Sequence, residues 1–186
     1  MLKIGVVGLG TVGSALVDIL QKNASLIEMR AGKKIEVIKA CVRDTNKKRN
    51  TNIAITNDVE QIINDPQIDV VVELMGGVEQ AHDVVSKALR ANKHVVTANK
   101  ALLAYHRYEL SQLASEKTLA YEASVAGGIP IIKALRDSMG ANNIVSIKGI
   151  INGTCNYMLT RMSKNGASFE QALKEAQELG YAEADP

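Results

Sequence analysis

Three glycines near the start of the chain have the spacing of a phosphate-binding turn. Gly8, Gly10 and Gly13 follow an apolar run rich in β-branched residues and precede apolar residues at helical spacing. In such a strand-turn-helix unit the first glycine permits the turn, the second lets the backbone approach a pyrophosphate, and the third lets helix and strand pack closely. The N–H groups at the start of the helix would face the phosphates. The pattern therefore favours a dinucleotide site over a glycine-rich turn of purely structural role.

The residues just beyond the second predicted strand, residues 35–42, bear on which dinucleotide binds. Arg43 and Asp44 follow that strand, and a basic cluster lies at residues 47–49. At this place an acid accepts a hydrogen bond from the ribose 2′-hydroxyl of NAD, whereas an arginine suits the 2′-phosphate of NADP. Arg43 favours NADP, Asp44 leaves NAD open, and a solvated charged loop is the alternative for the whole segment.

Lys100 is the side chain best placed for electrostatic or acid–base work. It is predicted to be the first residue of a helix. A positive charge there interacts unfavourably with the helix dipole, at a free-energy cost of about 0.3–1 kcal/mol. An anionic ligand would explain a lysine there, and an ordinary exposed lysine is the alternative. The three histidines, His82, His94 and His106, fall on separate predicted elements without metal-ligand spacing, so we interpret them as surface or hydrogen-bonded core residues.

The elements that must position these residues alternate between strand and helix. Buried-strand patterns at five places are separated by helical patterns, which predicts an α/β fold with a doubly wound parallel sheet of the Rossmann-like type. Ligands of such sheets bind at the carboxyl ends of the strands. The predicted strands are residues 3–7, 35–42, 68–74, 94–96 and 119–121, and the first helix is predicted over residues 11–29.

The pattern changes after a glycine-rich connection at residues 122–130. We predict a helix at 130–139, a strand at 144–151, a helix ending near residue 165, and a helix capped by Ser168. The chain is accordingly divided into a cofactor domain, residues 1–130, and the start of a truncated α+β substrate and dimerisation domain, residues 131–186. A Glu and an Asp just after the last helix resemble the beginning of a functional loop, so a longer natural chain is expected.

Composition excludes several classes of partner. The chain has 186 residues, 46% hydrophobic, with a net charge of +2, which calls for neither nucleic acid nor an anionic membrane surface. Two cysteines cannot form a disulfide framework, and neither a membrane-spanning run nor a signal peptide is recognisable. These features predict a cytoplasmic protein.

Five segments together resemble homoserine dehydrogenases: residues 8–13 (GLGTVG), 97–100 (TANK), 122–130 (EASVAGGIP), 149–159 (GIINGTCNYML) and 180–186 (GYAEADP). The last two are far more specific than the glycine turn. The resemblance runs from the first strand to the last residue. It implies NAD(P)-dependent interconversion of L-homoserine and L-aspartate 4-semialdehyde, a small-molecule substrate from threonine, methionine and isoleucine biosynthesis, and a homodimer or higher homo-oligomer for the full-length protein.

The resemblance also implies roles for individual residues. Lys100 would lie near the nicotinamide and the substrate. The remaining positions are those of the dinucleotide (Gly8, Gly10, Thr11, Val12, Gly13 and Arg43), the substrate (Gly153, Thr154 and Glu183) and a monovalent cation, usually sodium (Glu122, Val125, Gly127 and Ile129).

Hydride transfer to an aldehyde leaves alkoxide charge that a positioned ammonium group can stabilise or protonate. In the family resembled, the lysine usually given the acid–base role follows the Glu-x-Asp-Pro segment and therefore lies beyond residue 186. The chain is expected to bind cofactor but to turn over poorly or not at all. Two alternatives stay open: another Rossmann oxidoreductase of small metabolites, such as an amino-acid or semialdehyde dehydrogenase, and a non-catalytic dinucleotide-binding module.

Overall fold

The computed structural model describes residues 1–49 and 51–182. The chain divides into two compact units, Met1–Met139 and the part from Gly140 onward. The boundary predicted at residue 130 separates a cofactor-binding domain from a substrate-binding domain. It is defined by ligand binding and not by compactness, so it stays a prediction. Within the described residues, every helix is too short or too polar to cross a lipid bilayer.

The first unit is built on a parallel sheet in which the order of the strands reverses at the centre. The order β3-β2-β1-β4-β5-β6 places β1 between β2 and β4, so the chain builds outward to one edge and then to the other. This confirms the predicted Rossmann-like, doubly wound α/β fold. The strands are β1 (Leu2–Val7), β2 (Ile35–Cys41), β3 (Ala54–Thr56), β4 (Val70–Glu73), β5 (His94–Thr97) and β6 (Leu119–Ala120).

Helices cover both faces of the sheet because the central strands are apolar on both sides. On β4, Val71 packs into one buried cluster with the helices that follow β3, β4 and β5, while Val70 and Val72 point to the opposite cluster with the helix that follows β1. The helices of this unit are α1 (Thr11–Lys22), α2 (Ala24–Ala31), α3 (Glu60–Ile63), α4 (Glu79–Arg90), α5 (Lys100–Ala114) and α6 (Ile131–Lys133), the last continued by a π-helical turn, Ala134–Ser138.

Three features of the structure differ from the sequence-based expectations. The first helix, predicted as one element, is interrupted at Asn23, whose φ of −105° and ψ of 19° are not helical. The three-residue strand β3 was not predicted, since it is too short to show a period. Residues 144–151 adopt no regular structure, although their β-branched composition predicts a strand.

The missing strand has a physical explanation. A strand is stable only when its backbone N–H and C=O groups pair with a neighbour, and no described strand pairs with this segment. Its apolar side chains are correspondingly exposed, with Val145 at 93% and Ile151 at 101% of their reference areas. Propensity alone is therefore insufficient to form the element.

The second unit contains the two predicted helices, α7 (Gly153–Asn165) and α8 (Phe169–Glu178). The expected capping box is present at α8, where the side chains and backbones of Ser168 and Gln171 bond reciprocally. A bidentate pair joins the two helices, with Arg161 Nε and Nη2 at 2.7 and 2.9 Å from the carboxylate oxygens of Glu175.

Candidate functional site

A cleft of about 900 Å³ opens at the carboxyl ends of β1, β2 and β4. Its walls include the glycine turn after β1, Met75 and Gly76 after β4, and the residues that follow β2. The cleft thus lies where the strand order reverses, which is where open α/β sheets bind ligands.

The three glycines of the turn are required for different reasons. Gly8 has a φ of +101°, and a Cβ there would lie 2.6 Å from the carbonyl oxygen of Leu74. A Cβ on Gly13 would lie 2.1 Å from the carbonyl oxygen of Gly8, so α1 packs against the turn only with glycine at this position. Gly10 has open space around its missing Cβ, with no atom within 4 Å. Gly8 and Gly13 shape the turn, and Gly10 leaves its surface accessible.

The start of α1 beside this turn suits an anion. Gly10 is the N-cap residue and supplies no side-chain cap, and the first turn carries no acidic residue. The first N–H groups of a helix have no partner within the helix, so here they are available to phosphate oxygens. Thr11 and Val12 are both exposed at this helix start.

Basic side chains line the cleft on the β2 side. Arg43, Lys47 and Arg49 all contribute to its wall. The Nη1 group of Arg49 donates to the carbonyl oxygens of Asp44 and Lys47 at 2.8 and 2.9 Å, which folds the loop on itself. The carboxylate of Asp44 accepts from the backbone N–H of Asn46 at 2.9 Å. The loop therefore presents positive charge to the cleft while Asp44 serves the loop's own backbone.

Glu73, at the end of β4, is a fully buried carboxylate that the sequence analysis did not single out. One oxygen accepts from the backbone N–H of Met75 at 2.8 Å, and the other accepts from the hydroxyl of Thr97 at 2.5 Å. Burial raises the pKa of Glu73, although these hydrogen bonds favour the charged form. Its signal in the sequence is a lone carboxylate in an otherwise apolar strand.

Lys100 is exposed and is the first residue of α5. The preceding Asn99 caps the helix, since its Oδ1 accepts from the backbone N–H of Leu102 at 3.0 Å. The amide Nδ2 of Asn99 donates to the carbonyl oxygen of Gly77 at 2.7 Å, which ties this loop to the one after β4. Thr97 completes the connection through its bond to Glu73. The start of α5 is thus fixed to the carboxyl end of β4.

The predicted cation residues lie together in the loop after β6, around a 3₁₀ turn, Glu122–Ser124. Both carboxylate oxygens of Glu122 accept backbone N–H groups at 2.9 Å, from Ile132 and Lys133, and so cap the start of α6. Cation ligation in this loop would therefore fall to carbonyl oxygens. Those of Val125, Gly127 and Ile129 are of the hard type that sodium accepts, so the donor set fits.

The predicted substrate residues belong to the second unit. Gly153 and Thr154 form the start of α7, where the Oδ1 of Asn152 accepts from the backbone N–H of Cys155 at 2.9 Å. The hydroxyl of Thr154 donates to the carbonyl oxygen of Tyr181. Glu183 lies outside the described residues.

The parallel sheet, the cleft at its reversal point and the glycine turn define a dinucleotide-binding α/β protein. Comparison with known families is more specific. A model described as the NAD-binding domain of homoserine dehydrogenase matches residues 8–122, and one described as homoserine dehydrogenase matches residues 130–186. The chain belongs to the homoserine dehydrogenase family.

Individual relatives agree with this assignment. The homoserine dehydrogenase of Helicobacter pylori is 57% identical over 185 residues, which are 100% of this chain and 44% of that protein. The crystal structure of the Thiobacillus denitrificans homoserine dehydrogenase is 47% identical, with a TM-score of 0.93 over 100% of this chain and 44% of its own. A hyperthermophilic archaeal homoserine dehydrogenase in complex with NADPH is 27% identical, with a TM-score of 0.82 over 100% of this chain and 63% of its own. The chain thus spans less than half the length of the first two relatives.

Proposed function

We propose that this chain is the cofactor-binding part, with the beginning of the catalytic part, of an enzyme that interconverts L-homoserine and L-aspartate 4-semialdehyde. The observation that carries the proposal is the glycine-lined cleft at the sheet's reversal point in a chain of the homoserine dehydrogenase family. The family membership favours this activity over that of another Rossmann oxidoreductase or a non-catalytic binding module.

The turn and the start of α1 would hold the pyrophosphate of a nicotinamide dinucleotide. Gly8 and Gly13 set the backbone, Gly10 leaves room for close approach, and the helix start at Thr11 and Val12 offers N–H groups. When bound, the dinucleotide supplies or accepts the hydride.

We propose NADP over NAD as the preferred cofactor. Arg43, Lys47 and Arg49 line the same cleft, while Asp44 directs its carboxylate to the loop backbone. A 2′-phosphate adds negative charge that these three cations would stabilise, whereas a 2′-hydroxyl calls for an acceptor.

We assign Lys100 to the reacting end of the cofactor. An alkoxide develops on the substrate as its aldehyde is reduced, and an ammonium group held at the start of α5 can stabilise that charge. The bond between Asn99 and Gly77 and the buried pair of Thr97 and Glu73 hold the loop that presents Lys100. In the complete protein a second lysine beyond residue 186 would act as acid–base group, and Gly153, Thr154 and Glu183 would contact the substrate.

The loop with Glu122, Val125, Gly127 and Ile129 would bind a monovalent cation, which we propose to be sodium. Its contribution is positional, because carbonyl ligation would order the connection that follows β6. We further propose a cytoplasmic location, which agrees with two free cysteines, one of them exposed.

The proposal is tested by two measurements on the same chain. In a calorimetric titration, NADPH is expected to bind to the parent chain. Arg43→Gln is expected to lower the affinity for NADPH more than the affinity for NADH. Lys48→Gln, which removes a positive charge outside the cleft wall, serves as the matched control. Homoserine-dependent reduction of NADP is expected only in a longer chain that spans the full length of the relatives. A folded chain that binds neither nucleotide would refute the cofactor assignment, and turnover by residues 1–186 alone would refute the need for a second lysine.

A further inference from the structure

Three side chains of types that can ligate a metal meet between α4 and α5, and none of them is among the residues that line the cleft. His82 lies on α4, and His106 and Glu109 lie on α5. The Oε2 atom of Glu109 lies 3.1 Å from His82 Nε2 and 3.4 Å from His106 Nδ1. The three ligand atoms all lie within 4.8 Å of one another. Residues far apart in the sequence are thus brought together by the packing of two helices.

These separations match the edges of a small coordination polyhedron. Zinc binds imidazole nitrogen and carboxylate oxygen at about 2.0–2.2 Å, so tetrahedral ligand atoms lie roughly 3.3–3.5 Å apart. One of the three edges, at 3.4 Å, has this length without an ion, and a second, at 3.1 Å, is shorter by about 0.2 Å. The two rings lie 4.1 Å apart between centroids at an angle of 33°, so the imidazoles are held side by side.

The helices hold this spacing. His106 and Glu109 are three residues apart on α5 and therefore share one face. Buried residues of both helices, among them Val85, Leu102 and Leu110, belong to one core cluster that fixes the two helices against each other. Little rearrangement would be needed for the three groups to converge, so the ordering cost of binding is small.

Accessibility and charge also suit an ion. The side chains of His82 and His106 are 24% and 26% exposed and that of Glu109 is 50% exposed, so an ion can enter and water can complete its coordination. Glu109 would bring one negative charge to a divalent ion, and the two imidazoles would bind it as neutral ligands.

We propose that His82, His106 and Glu109 bind a divalent transition-metal ion of the zinc class, which cross-links α4 to α5. Two imidazoles and one carboxylate form a donor set that suits zinc and other first-row ions rather than magnesium or calcium. The site is distinct from the dinucleotide cleft and does not depend on the proposed activity.

The test is titration of the chelator-treated chain with Zn²⁺ alone, in a Cys155→Ser background that removes the exposed thiol as a competing ligand. We expect one ion per chain and a higher unfolding temperature in its presence. Loss of an outer-shell partner already costs about 10–100-fold in metal affinity, so His82→Gln, His106→Gln and Glu109→Gln should each raise the dissociation constant by at least about tenfold. Co²⁺ should give visible absorption bands of low-symmetry coordination that these variants lose.

Glu116→Gln, an exposed carboxylate just after α5, is the matched control and should bind Zn²⁺ like the parent chain. Glu109→Gln is the deciding variant, because its half-exposed side chain can be replaced without loss of the helix, which circular dichroism verifies. Absence of Zn²⁺ binding by the parent chain, or unchanged affinity in folded Glu109→Gln, would overturn the proposal.

Discussion

At the level of single residues, substitutions at two glycines of the same turn should have different effects on stability and on cofactor binding. A methyl group on Gly13 would collide with the carbonyl oxygen of Gly8, which is backbone and cannot turn aside. Gly13→Ala should therefore displace α1 and lower the unfolding free energy by about 1–3 kcal/mol, as overpacking does, together with a loss of NADPH binding. Urea unfolding followed by circular dichroism measures the first effect, and wild-type stability in this variant would contradict the close packing described for α1.

Gly10→Ala is expected to separate binding from stability. Its new methyl group meets open space and alanine accepts the φ of −83° found there, but alanine is a poorer N-cap than glycine, so the unfolding free energy should fall by about 0.5–1 kcal/mol. The same methyl group would stand where a pyrophosphate approaches, so NADPH affinity should fall clearly. A calorimetric titration decides, and unchanged affinity would mean that the phosphates lie elsewhere.

The raised pKa of Glu73 predicts how the unfolding free energy depends on pH. Because burial raises its pKa in the folded state, the folded chain holds a proton at pH values where the unfolded chain has released it. The unfolding free energy should thus fall as pH rises between the ordinary and the raised pKa of this group, and level off above. Glu73→Gln, which cannot titrate, should lose this downward slope in a series of urea midpoints.

Asp65 provides a control of opposite sign. The hydrogen bond from Lys39 lowers the pKa of Asp65, so its contribution is present above its ordinary pKa and is lost as pH falls toward the lowered value. Asp65→Asn should remove the rise of the unfolding free energy with pH in the acid range. It should leave the fall with pH that is caused by Glu73 unchanged. Identical pH profiles for the parent chain and Glu73→Gln would show that the buried carboxylate does not titrate as argued.

At the level of elements, the start of α5 depends on one asparagine. Asn99→Ala removes the cap on Leu102 and the bond to Gly77, and should lower the unfolding free energy by about 1 kcal/mol. Hydrogen exchange should locate the loss in the first turn of α5, which carries Lys100. Asn99→Ser, which can still cap the helix, should recover most of the protection.

Asn152→Ala is the corresponding change in the second unit, because Asn152 caps α7 in the same way. It should reduce amide protection at the start of α7 and leave α5 unaffected. Loss of protection in α5 from this variant would contradict the local origin of the effect.

At the level of the whole molecule, the exposed apolar segment at residues 144–151 predicts self-association. Val145, Ile147, Ile150 and Ile151 are at least 70% exposed, and unpaired backbone in an apolar segment is a template for pairing with another chain. Sedimentation velocity should show oligomers that increase with concentration. Replacing Val145 and Ile150 together by lysine should reduce them, while a chain that stays monomeric at every concentration would contradict the prediction.

The sequence by itself determined the elements whose causes are local. The turn at Gly8–Gly13 and the capping box at Ser168 each depend on residues within one or two turns of chain, and the alternation of buried strands and amphipathic helices fixed the fold class. Much of the candidate site is therefore predictable from the sequence, because the glycine turn is both a local structure and a binding surface.

Only the tertiary structure decided which distant residues meet. The strand order brings the basic loop after β2 to the same cleft as the glycine turn, and it places Glu73 beside Thr97 on the neighbouring strand. Packing of α4 against α5 assembles His82, His106 and Glu109, and the absence of a pairing neighbour among the described strands leaves residues 144–151 without regular structure. The physical reason is the same in each case: side-chain type and period report on a residue's own element, whereas contact and pairing depend on a second element that the local sequence does not specify.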